Sequence, residues 1–479
     1  MFSVKELLET TGGRLLKGNP VFTVSGLSID SRTIQPRELF VALKGDRFDG
    51  HAFLPEVRKK KGCGAIVDQR IGLKAEAVNE ILIEVADPLW ALQEIASFHR
   101  KRFSIPVVAI TGSNGKTTTK EMAAAILSRR LKVLKNAGNL NNHIGVPLTL
   151  LGLTREHQLA LIEMGINHAG EMTRLCEIAR PDMGLITNIG PAHLEFLGSI
   201  EGVARAKGEL LQSLKDEESV AFLNADDPLT PTLCPLRNGM LVTFGLDQKA
   251  DVQATGVSYD RQGSSFHLHL GHQGEIQTTA DSQKTRRKDI PMDQIDIRLA
   301  VPGRHNVYNA VGAAAIASKL GADRAGIKMG LELFQPIHLR SQVIQWRGVT
   351  ILNDSYNANP ASMRSALETL KLLQVSGKAI AVLGDMMELG KESGAAHREI
   401  GRQVGALGLD YLLTVGELAR LIGQEAIEGG MPKDRVKICD HLEEAVAFLS
   451  TLVREQDTVL VKGSRGMRME RLVQDLMGE

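Results

Sequence analysis

The sequence predicts an α/β protein of three domains, and three features support this fold class. A chain of 479 residues is too long for one hydrophobic core, because domains average roughly 150 residues. Short β-branched apolar runs alternate with helical patterns, which predicts mostly parallel sheets wrapped by helices. Between residues 250 and 299 the pattern changes to short alternating segments, which predict an antiparallel appendage.

The first predicted domain, residues 1–86, combines short strands with glycine-rich turns. Its strand candidates are Leu39 to Leu43 and Ala65 to Val67. Residues 1–11 have charges at amphipathic-helix spacing and lack the apolar stretch of a signal peptide. Apolar runs stay well below the ~18 residues that span a bilayer, so we expect no membrane segment.

The second predicted domain, residues 87–320, opens with a helix from Asp87 through Arg102. The apolar run Ile105 to Ile110 is short and β-branched, which predicts a buried parallel strand. Further strands are predicted at Leu159 to Met164 and Gly184 to Asn188, each followed by a turn and a helical pattern.

The third predicted domain, residues 321–479, contains several apolar strand candidates separated by helical patterns. These are Val349 to Asn353, Ala379 to Leu383, Tyr411 to Val415 and Thr458 to Val461. The alternation is typical of a doubly wound, Rossmann-like domain. Ahead of this domain, the polar stretch 271–294 of the antiparallel appendage is predicted to be a mobile loop.

The composition argues against nucleic acid and membranes as partners. The 57 basic and 56 acidic side chains leave a formal charge of +1, and only 4% of residues are aromatic, so no basic stripe with stacking rings appears. The four cysteines are far apart and form no C-x-x-C pair, which disfavours zinc and disulfides. We expect a cytoplasmic protein and take a monomer as the starting hypothesis.

The strongest local signal is a glycine-rich loop between the buried strand and a helix predicted from Thr119 to Leu131. Its residues are Thr111-Gly112-Ser113-Asn114-Gly115-Lys116-Thr117-Thr118. In such a loop, backbone N–H groups point at phosphates, the lysine supplies a charge for the β and γ phosphates, and the threonine hydroxyl can bind Mg²⁺. The loop therefore predicts phosphate binding, with the threonine hydroxyl as a candidate ligand for Mg²⁺.

The loop departs from the G-x-x-x-x-G-K-[ST] pattern, because Ile110 stands where the first glycine is expected. A chance glycine–lysine turn is the alternative interpretation. The strand before the loop, the helix after it and the paired threonines favour phosphate binding. The loop leaves open which group accepts the phosphoryl group.

This shortened loop, followed by further motifs in a fixed order along the whole chain, resembles the Mur ligase family. Members of that family join an amino acid or peptide to a UDP-linked muramoyl precursor. The resemblance implies a UDP-substrate domain at 1–86, an ATP-binding domain at 87–320 and a Rossmann-like ligase domain at 321–479. The implied catalytic residues are Lys116, His193, Lys207 and Arg340.

In the first domain the resemblance lies in Asp30-Ser31-Arg32, Leu39 to Gly45 and Asp49-Gly50-His51. Hydroxyl and guanidinium groups at turns suit a pyrophosphate. A solvated turn is an equal alternative on the residues alone. The residues implied to contact the UDP-linked substrate are Ser31, Arg32, Lys44, Asp49 and His51.

The second domain is implied to supply magnesium ligands. Glu163, at the end of a predicted strand, can hold Mg²⁺ directly or through water, and the Thr117 hydroxyl can bind it as well. His193 occupies a turn where the family places a magnesium ligand, and a structural histidine is the alternative. Lys207 matches the family lysine that forms a carbamate with carbon dioxide, and a solvated helical lysine is the alternative.

Further residues are implied to bind the nucleotide. Asn306 and Asn309 are three residues apart, so they would share one face of a helix near the adenine. An N-cap role for Asn306 is the alternative. Arg340 and Asp354 would reach the phosphates and the ribose from the third domain after domain closure.

Several stretches resemble the branch of the family that adds a dipeptide. Asn353 to Pro360 has the N-A-N-P form of that branch, which implies that Asn357 and Asn359 contact substrate. The stretch Leu383 to Gly390, together with His397, is also typical of it.

Two other stretches fit the same branch. They are Lys462 to Glu470 and Asn139 to Pro147, the latter with Asn142 as an implied substrate contact. His143 stands where relatives often carry an acidic or amide residue, so the role of position 143 stays open.

The resemblance implies an ATP-dependent ligase that adds D-alanyl-D-alanine to UDP-N-acetylmuramoyl-tripeptide through an acyl phosphate. A diaminopimelate- or lysine-adding member, or folylpolyglutamate synthetase, is the alternative within the same fold. A phosphate-loop regulator that binds ATP and a UDP-sugar without catalysis is a hypothesis from another class. The third residue of the accepted tripeptide stays open.

Overall fold

The computed structural model describes residues 1–45, 48–72, 78–214, 216–234, 239–271 and 293–478. They divide into two compact units. The first consists of Met1–Val107, Lys132–Met164 and Thr173–Pro181, and the second of Val108–Leu131, Gly165–Met172 and Asp182–Glu479. The predicted loop 271–294 lies outside the described residues except at its ends. The three-domain boundaries stay a prediction.

Strands and helices alternate along most of the described chain. The strands are β1 (Phe2–Ser3), β2 (Arg14–Lys17), β3 (Thr23–Val24), β4 (Gly26–Ser28), β5 (Glu38–Val41), β6 (Gly64–Asp68), β7 (Ile81–Val85), β8 (Val107–Thr111), β9 (Val133–Lys135), β10 (Leu159–Glu163), β11 (Met183–Ile186), β12 (Val220–Asn224), β13 (Met240–Gly245), β14 (Val252–Asp260), β15 (Gly263–Leu270), β16 (Asp293–Leu299), β17 (Gln342–Trp346), β18 (Val349–Asn353), β19 (Ala379–Gly384), β20 (Tyr411–Val415), β21 (Val436–Cys439) and β22 (Thr458–Lys462). The helices are α1 (Val4–Thr11), α2 (Leu54–Lys59), α3 (Pro88–Arg100), α4 (Lys116–Leu127), α5 (Gly145–Leu151), α6 (Glu171–Ala179), α7 (Leu194–Leu197), α8 (Ile200–Ser213), α9 (Thr230–Leu233), α10 (Arg304–Lys319), α11 (Arg324–Glu332), α12 (Pro360–Leu373), α13 (Ser393–Leu407), α14 (Arg420–Glu428), α15 (Leu442–Leu452) and α16 (Glu470–Met477).

The first unit contains a five-stranded sheet in the order β2-β7-β6-β5-β4. Strands β4 to β7 run parallel, and β2 joins β7 antiparallel. Helix α3 packs its buried apolar face, including Leu92 and Ile95, into the same hydrophobic cluster as Leu39 and Ile66 of this sheet. Strands β9 and β10 form a parallel pair in this unit.

In the second unit, strands pair in the order β16-β15-β14-β13-β12-β11-β8. The pairs from β8 to β14 are parallel, whereas β14, β15 and β16 pair antiparallel. The predicted antiparallel appendage is therefore confirmed. Strand β8 is buried along its whole length, as the apolar run predicted.

A six-stranded sheet in the order β17-β18-β22-β19-β20-β21 follows in the same unit. One of its faces is covered by α12, α13 and α14, through buried residues such as Leu367 and Ile400. The other face packs against α15 and α16, through Leu449 and Leu472. Helices on both faces of a mostly parallel sheet define the predicted doubly wound architecture, and the α/β fold class is confirmed.

The start of α3 follows from its sequence. The Asp87 side chain accepts hydrogen bonds from two backbone N–H groups of the first turn. Pro88 occupies the first helical position, where no N–H is needed. The predicted helix is confirmed, although it ends at Arg100 rather than Arg102.

The helix after the glycine-rich loop differs from its prediction. It spans Lys116–Leu127, whereas the sequence predicted Thr119 to Leu131. Gly115 adopts a left-handed conformation with φ 80° and caps the helix, so the next residue already has helical geometry. The lysine and the threonines thus belong to the first helical turn.

Within the described ranges, no helix is both long and apolar enough to cross a membrane.

Candidate active site

Two glycines shape the loop between β8 and α4. Gly112 has φ 145° and Gly115 φ 80°, a region that L side chains rarely adopt. A Cβ on Gly112 would lie 1.9 Å from Oγ1 of Thr187, and one on Gly115 would lie 2.1 Å from Oδ1 of Asn309. Ile110, at the position of the missing glycine, is fully buried inside β8. The loop therefore needs glycine at only these two positions.

The turn after β11 holds the loop in place. Ser113 donates its backbone N–H to the Asn188 carbonyl at 2.9 Å and its hydroxyl to the Gly190 carbonyl at 2.9 Å. Asn114 donates its backbone N–H to Oδ1 of Asn188 at 3.0 Å. Two successive loop residues, Ser113 and Asn114, are thus tied to the turn, and these hydrogen bonds preorganise the loop for a ligand.

Lys116 and two threonines begin helix α4. The Lys116 ammonium donates to the Gly112 carbonyl at 2.8 Å, so its side chain folds back over the loop. Thr117 and Thr118 are buried in the first turn, where backbone N–H groups and the helix dipole favour anions. The loop, the lysine and the helix start together form a cradle suited to phosphate groups.

Lys207 lies inside α8 and is 1% exposed. Burial lowers the pKa of its amine well below the ordinary lysine value, and the positive charge of Lys116 lowers it further. A solvated helical lysine, the alternative considered from the sequence, is therefore wrong. This shift favours the neutral amine, which is the form that reacts with carbon dioxide as a nucleophile.

Glu163 is the last residue of β10, at the strand end where the sequence placed it, and is 1% exposed. Its carboxylate accepts from Nδ2 of Asn141 at 2.7 Å, and its backbone N–H donates to Oδ1 of Asn136 at 2.6 Å. Glu163 belongs to the first unit and the phosphate loop to the second. Their predicted shared cation site stays a prediction.

His193 caps α7 in the left-handed region, with φ 55°. Its Nδ1 lies 2.7 Å from Oε2 of Glu388, which follows β19. The imidazole beside it lowers the pKa of the Glu388 carboxyl. The sequence singled out the stretch that contains Glu388 but did not predict this residue as part of a site.

The two asparagines of α10 lie on one helix face, as predicted. Nδ2 of Asn309 donates to Oδ1 of Asn306 at 3.3 Å, and Oδ1 of Asn309 accepts from the Thr119 hydroxyl of α4 at 3.3 Å. Gly303, not Asn306, caps the helix, so the alternative N-cap role is wrong. These amides buttress the phosphate helix, and an adenine contact stays a prediction.

Asn359 connects the start of α12 with the phosphate loop. Its Oδ1 caps the helix by accepting from Ser362 N–H at 2.9 Å, while its Nδ2 donates to Oδ1 of Asn114 at 2.8 Å. Asn357 is exposed, and its Oδ1 accepts from the N–H of Ala358 at 2.9 Å. The N-A-N-P segment therefore brings one of its two asparagines to the loop.

Arg340 and Asp354 are held by neighbours in the same part of the chain. The Arg340 guanidinium lies 3.8 Å from the centre of the Tyr356 ring. Asp354 accepts from the backbone N–H of Ser341 at 2.8 Å and forms an ion pair with buried Lys462. Their predicted phosphate and ribose contacts stay predictions.

In the first unit, the residues of the Asp30-Ser31-Arg32 turn bond within the protein. Ser31 is buried and donates its hydroxyl to Oε2 of Glu56 at 2.6 Å. The guanidinium of the exposed Arg32 forms two hydrogen bonds with the Asp30 carboxylate, and this side-chain interaction is the main cause that lowers the pKa of Asp30 to about 2. Arg32 presents a guanidinium to solvent, where a pyrophosphate can reach it.

The other predicted substrate residues of this unit stabilise turns. Nε2 of His51 accepts from the N–H of Asp68 at 3.0 Å, and its Nδ1 lies 2.5 Å from Asp49, whose pKa this hydrogen bond lowers. Lys44 pairs with Asp49 in an isolated β-bridge. Asn142 accepts from two backbone N–H groups at the start of α5. A substrate contact by each of them stays a prediction.

A phosphate cradle followed by a buried lysine, in a chain that ends in a doubly wound sheet, defines the class of the protein. Three family models match: "Mur ligase family, catalytic domain" at residues 23–100, "Mur ligase middle domain" at 110–317 and "Mur ligase, glutamate ligase domain" at 339–465. The chain belongs to the Mur ligase family.

Individual relatives resemble the chain over its whole length. It is 37% identical to "UDP-N-acetylmuramoyl-tripeptide--D-alanyl-D-alanine ligase" of Escherichia coli, over 99% of this chain and 98% of that protein. The crystal structure of MurF from Acinetobacter baumannii superposes with a TM-score of 0.87 at 34% identity, covering 100% and 99% of the two chains. MurF from Thermotoga maritima, solved in complex with ADP, gives a TM-score of 0.80 at 27% identity over 95% and 97%.

We expect Lys207→Met to be more stable than the wild type at pH 7. Because folding lowers the pKa of Lys207, burying this amine costs free energy below the unfolded lysine pKa of about 10.4, and methionine has no such cost. Because the unfolded state then binds more protons than the folded state, wild-type stability should rise with pH relative to the variant. Thermal unfolding of both proteins in carbon-dioxide-free buffer between pH 7 and 10 measures this. A difference that does not change with pH would contradict a neutral Lys207.

Proposed function

We propose that this protein joins D-alanyl-D-alanine to UDP-N-acetylmuramoyl-tripeptide at the expense of ATP, forming the pentapeptide precursor of peptidoglycan, ADP and phosphate. The observation that carries the proposal is the 37% identity, over 99% of the chain, to the E. coli ligase whose name states these substrates. The preorganised phosphate cradle supports ATP as the co-substrate, and an ADP complex of a relative supports it further.

The reaction has two chemical steps. The terminal carboxylate of the tripeptide attacks the γ-phosphorus of ATP, the bond to the β,γ-bridging oxygen breaks, and an acyl phosphate and ADP form. The amine of D-alanyl-D-alanine then attacks the acyl carbon, loses a proton and expels phosphate. Lys116 leaves the Gly112 carbonyl for the phosphate oxygens, where its charge offsets the repulsion between carboxylate and triphosphate.

The residues that would hold Mg²⁺ are those the family resemblance indicated: Thr117, Glu163, His193 and Lys207, the last as a carbamate. Hydroxyl, carboxylate and carbamate oxygens suit this hard cation. Among the residues that the structure describes, no three His, Cys, Asp or Glu side chains form a metal-binding group. When bound, Mg²⁺ neutralises phosphate charge during phosphoryl transfer.

Lys207 is proposed to carry the carbamate. Its neutral amine attacks the carbon of carbon dioxide, a C–N bond forms, and the nitrogen releases a proton to leave an anion. Burial supports the first step because it lowers the pKa of the amine and so disfavours the protonated form. The anion would also be attracted to the positive charge of Lys116.

The remaining predicted residues are assigned to substrates by the same resemblance. Residues 1–86 would bind the UDP-linked precursor, and residues 87–320 would bind ATP. Residues 321–479 would close over both ligands. The UDP-linked precursor would contact Ser31, Arg32, Lys44, Asp49, His51 and Asn142. The amine substrate would contact Asn357 and Asn359. The nucleotide would contact Asn306, Asn309, Arg340 and Asp354. Closure of three domains would exclude water from the acyl phosphate.

We assign the protein to the cytoplasm as a monomer. Its four cysteines are free, as is usual in a reducing compartment, and ATP is available there.

The direct test is phosphate release and product mass with UDP-N-acetylmuramoyl-tripeptide, ATP and a panel of amines. D-alanyl-D-alanine should stimulate phosphate release and give a product of pentapeptide mass. Stimulation by diaminopimelate, lysine or glutamate instead would identify another ligase of the family. ATP binding without any amide product would indicate a regulator.

Lys116→Ala should abolish ligation while leaving the fold intact, because the cradle loses the charge that meets the phosphates. The same product assay measures it, with Lys132→Ala, an exposed lysine, as the matched control. Near wild-type turnover in Lys116→Ala would refute the phosphate-loop assignment.

Lys207→Ala should lose ligase activity that added bicarbonate does not restore, since alanine cannot form a carbamate. A short-chain carboxylic acid should restore part of it by placing a carboxylate in the vacated space. Turnover at increasing concentrations of the acid measures the rescue, with bicarbonate as the control. Full activity of the variant without any addition would remove the carbamate from the mechanism.

A further inference from the structure

Glu388 makes a contact that the proposed chemistry does not yet use. Its carboxylate lies 2.7 Å from Nδ1 of His193, the predicted cation ligand. The two segments also meet through the backbone, because the N–H of Glu195 donates to the Glu388 carbonyl at 3.3 Å. A Cβ on Gly390 would lie 3.0 Å from Cα of Glu195, so only a small residue fits there.

The loop that carries Glu388 is anchored at the residue after β19. The Asp385 carboxylate accepts from the backbone N–H groups of Leu418 and Ala419, at 3.1 and 2.7 Å. The Asp385 carbonyl accepts from the N–H of Ser464 at 3.0 Å. This residue therefore ties the loop both to the segment before α14 and to the segment after β22.

The next two residues of the loop are anchored as well. The N–H of Met386 donates to Nε2 of His397, which is fully buried and whose Nδ1 lies 2.7 Å from the Ser393 carbonyl. The N–H of Met387 donates to the Ser464 hydroxyl at 2.8 Å. Three successive anchored residues leave Glu388 little freedom to move away from His193.

Both partners of the contact have left-handed backbone conformations, with φ 55° at His193 and φ 64° at Glu388. Such conformations are unfavourable for residues with a Cβ and persist only where the surroundings enforce them. A strained pair held in this way is better explained by a requirement for the contact than by packing alone, because both residues are partly exposed.

A carboxylate that accepts a hydrogen bond from one imidazole nitrogen determines whether the other nitrogen carries a hydrogen or a free lone pair. When Nδ1 of a neutral histidine donates its hydrogen to a carboxylate, Nε2 keeps its lone pair and can ligate a metal. Carboxylates that orient metal-binding histidines in this way commonly raise metal affinity.

We propose that Glu388 is a positioning residue that holds His193 in the Nδ1–H tautomer, with Nε2 free for the cation of the active site. The proposal rests on the proposed function, because it assumes a cation at His193. It means that the loop after β19 completes the cation site from the C-terminal sheet, although Glu388 touches neither metal nor substrate. The stretch Leu383 to Gly390 with His397 thereby acquires a physical role.

The first test is the tautomer of His193 in the metal-free protein at pH 8, read from ¹⁵N chemical shifts of histidine-labelled protein. The His193 signal is identified by its loss in His193→Gln. Wild type should show Nδ1–H, and Glu388→Ala should revert to the Nε2–H tautomer that free histidine prefers. Glu392→Ala, which removes an exposed carboxylate of the same segment, should leave the wild-type tautomer.

The second test is Mn²⁺ affinity in the presence of a non-hydrolysable ATP analogue, measured by electron paramagnetic resonance. Glu388→Ala should weaken binding about 10- to 100-fold, as is usual when an orienting carboxylate is removed. Glu388→Gln should recover part of the loss, because its amide oxygen still accepts from Nδ1, and Glu392→Ala should bind like wild type.

An unchanged His193 tautomer in Glu388→Ala would overturn the proposal, and so would a wild-type Mn²⁺ affinity. Product formation by the wild type is scored separately. Failure of the wild type to make the pentapeptide would therefore reject the proposed function. If the wild type makes the product but Glu388→Ala keeps the wild-type His193 tautomer, only the role of Glu388 is rejected.

Discussion

The close approach of two neighbours to the phosphate loop constrains the rest of the second unit. A Cβ on Gly112 would collide with Thr187, which follows β11, and a Cβ on Gly115 would collide with Asn309 of α10. These two segments can therefore pack against the loop only if both positions are glycine. The loop also donates a hydrogen bond to the turn after β11, and Oδ1 of Asn114 accepts one from Nδ2 of Asn359. One short loop thus sets the positions of three other segments.

Charge imposes a second requirement on the same region. Lys116 and Lys207 are both cationic by nature, and one of them is fully buried. A protein tolerates such an arrangement when its function benefits, because stability alone would favour an apolar residue at position 207. The Lys116 ammonium, which folds back over the loop, is placed to meet ligands that carry negative charge.

Much of this fold could be predicted from the sequence, because strands buried on both faces appear as continuous apolar runs. β8, β18, β19, β20 and β22 were found in that way. The edge strand β17 was missed, since it is only partly buried and has no such run. The start of α4 was placed three residues late, because the left-handed Gly115 that begins the helix is not visible as a periodic pattern. Glu388 was missed because its partner His193 is distant in the chain and only tertiary structure brings them together.

The central claim, that close packing around the glycine loop creates the nucleotide site, is tested most directly by the ATP affinity of Gly115→Ala. Isothermal titration of the folded variant should show binding weakened by at least about tenfold, equivalent to about 1.4 kcal/mol, because the new Cβ would meet Oδ1 of Asn309. Gly394→Ala is the control outside the site: the nearest atom to its Cβ would be Cδ1 of Leu421, at 4.0 Å, so this variant should bind ATP like wild type. Wild-type affinity in Gly115→Ala would contradict the account.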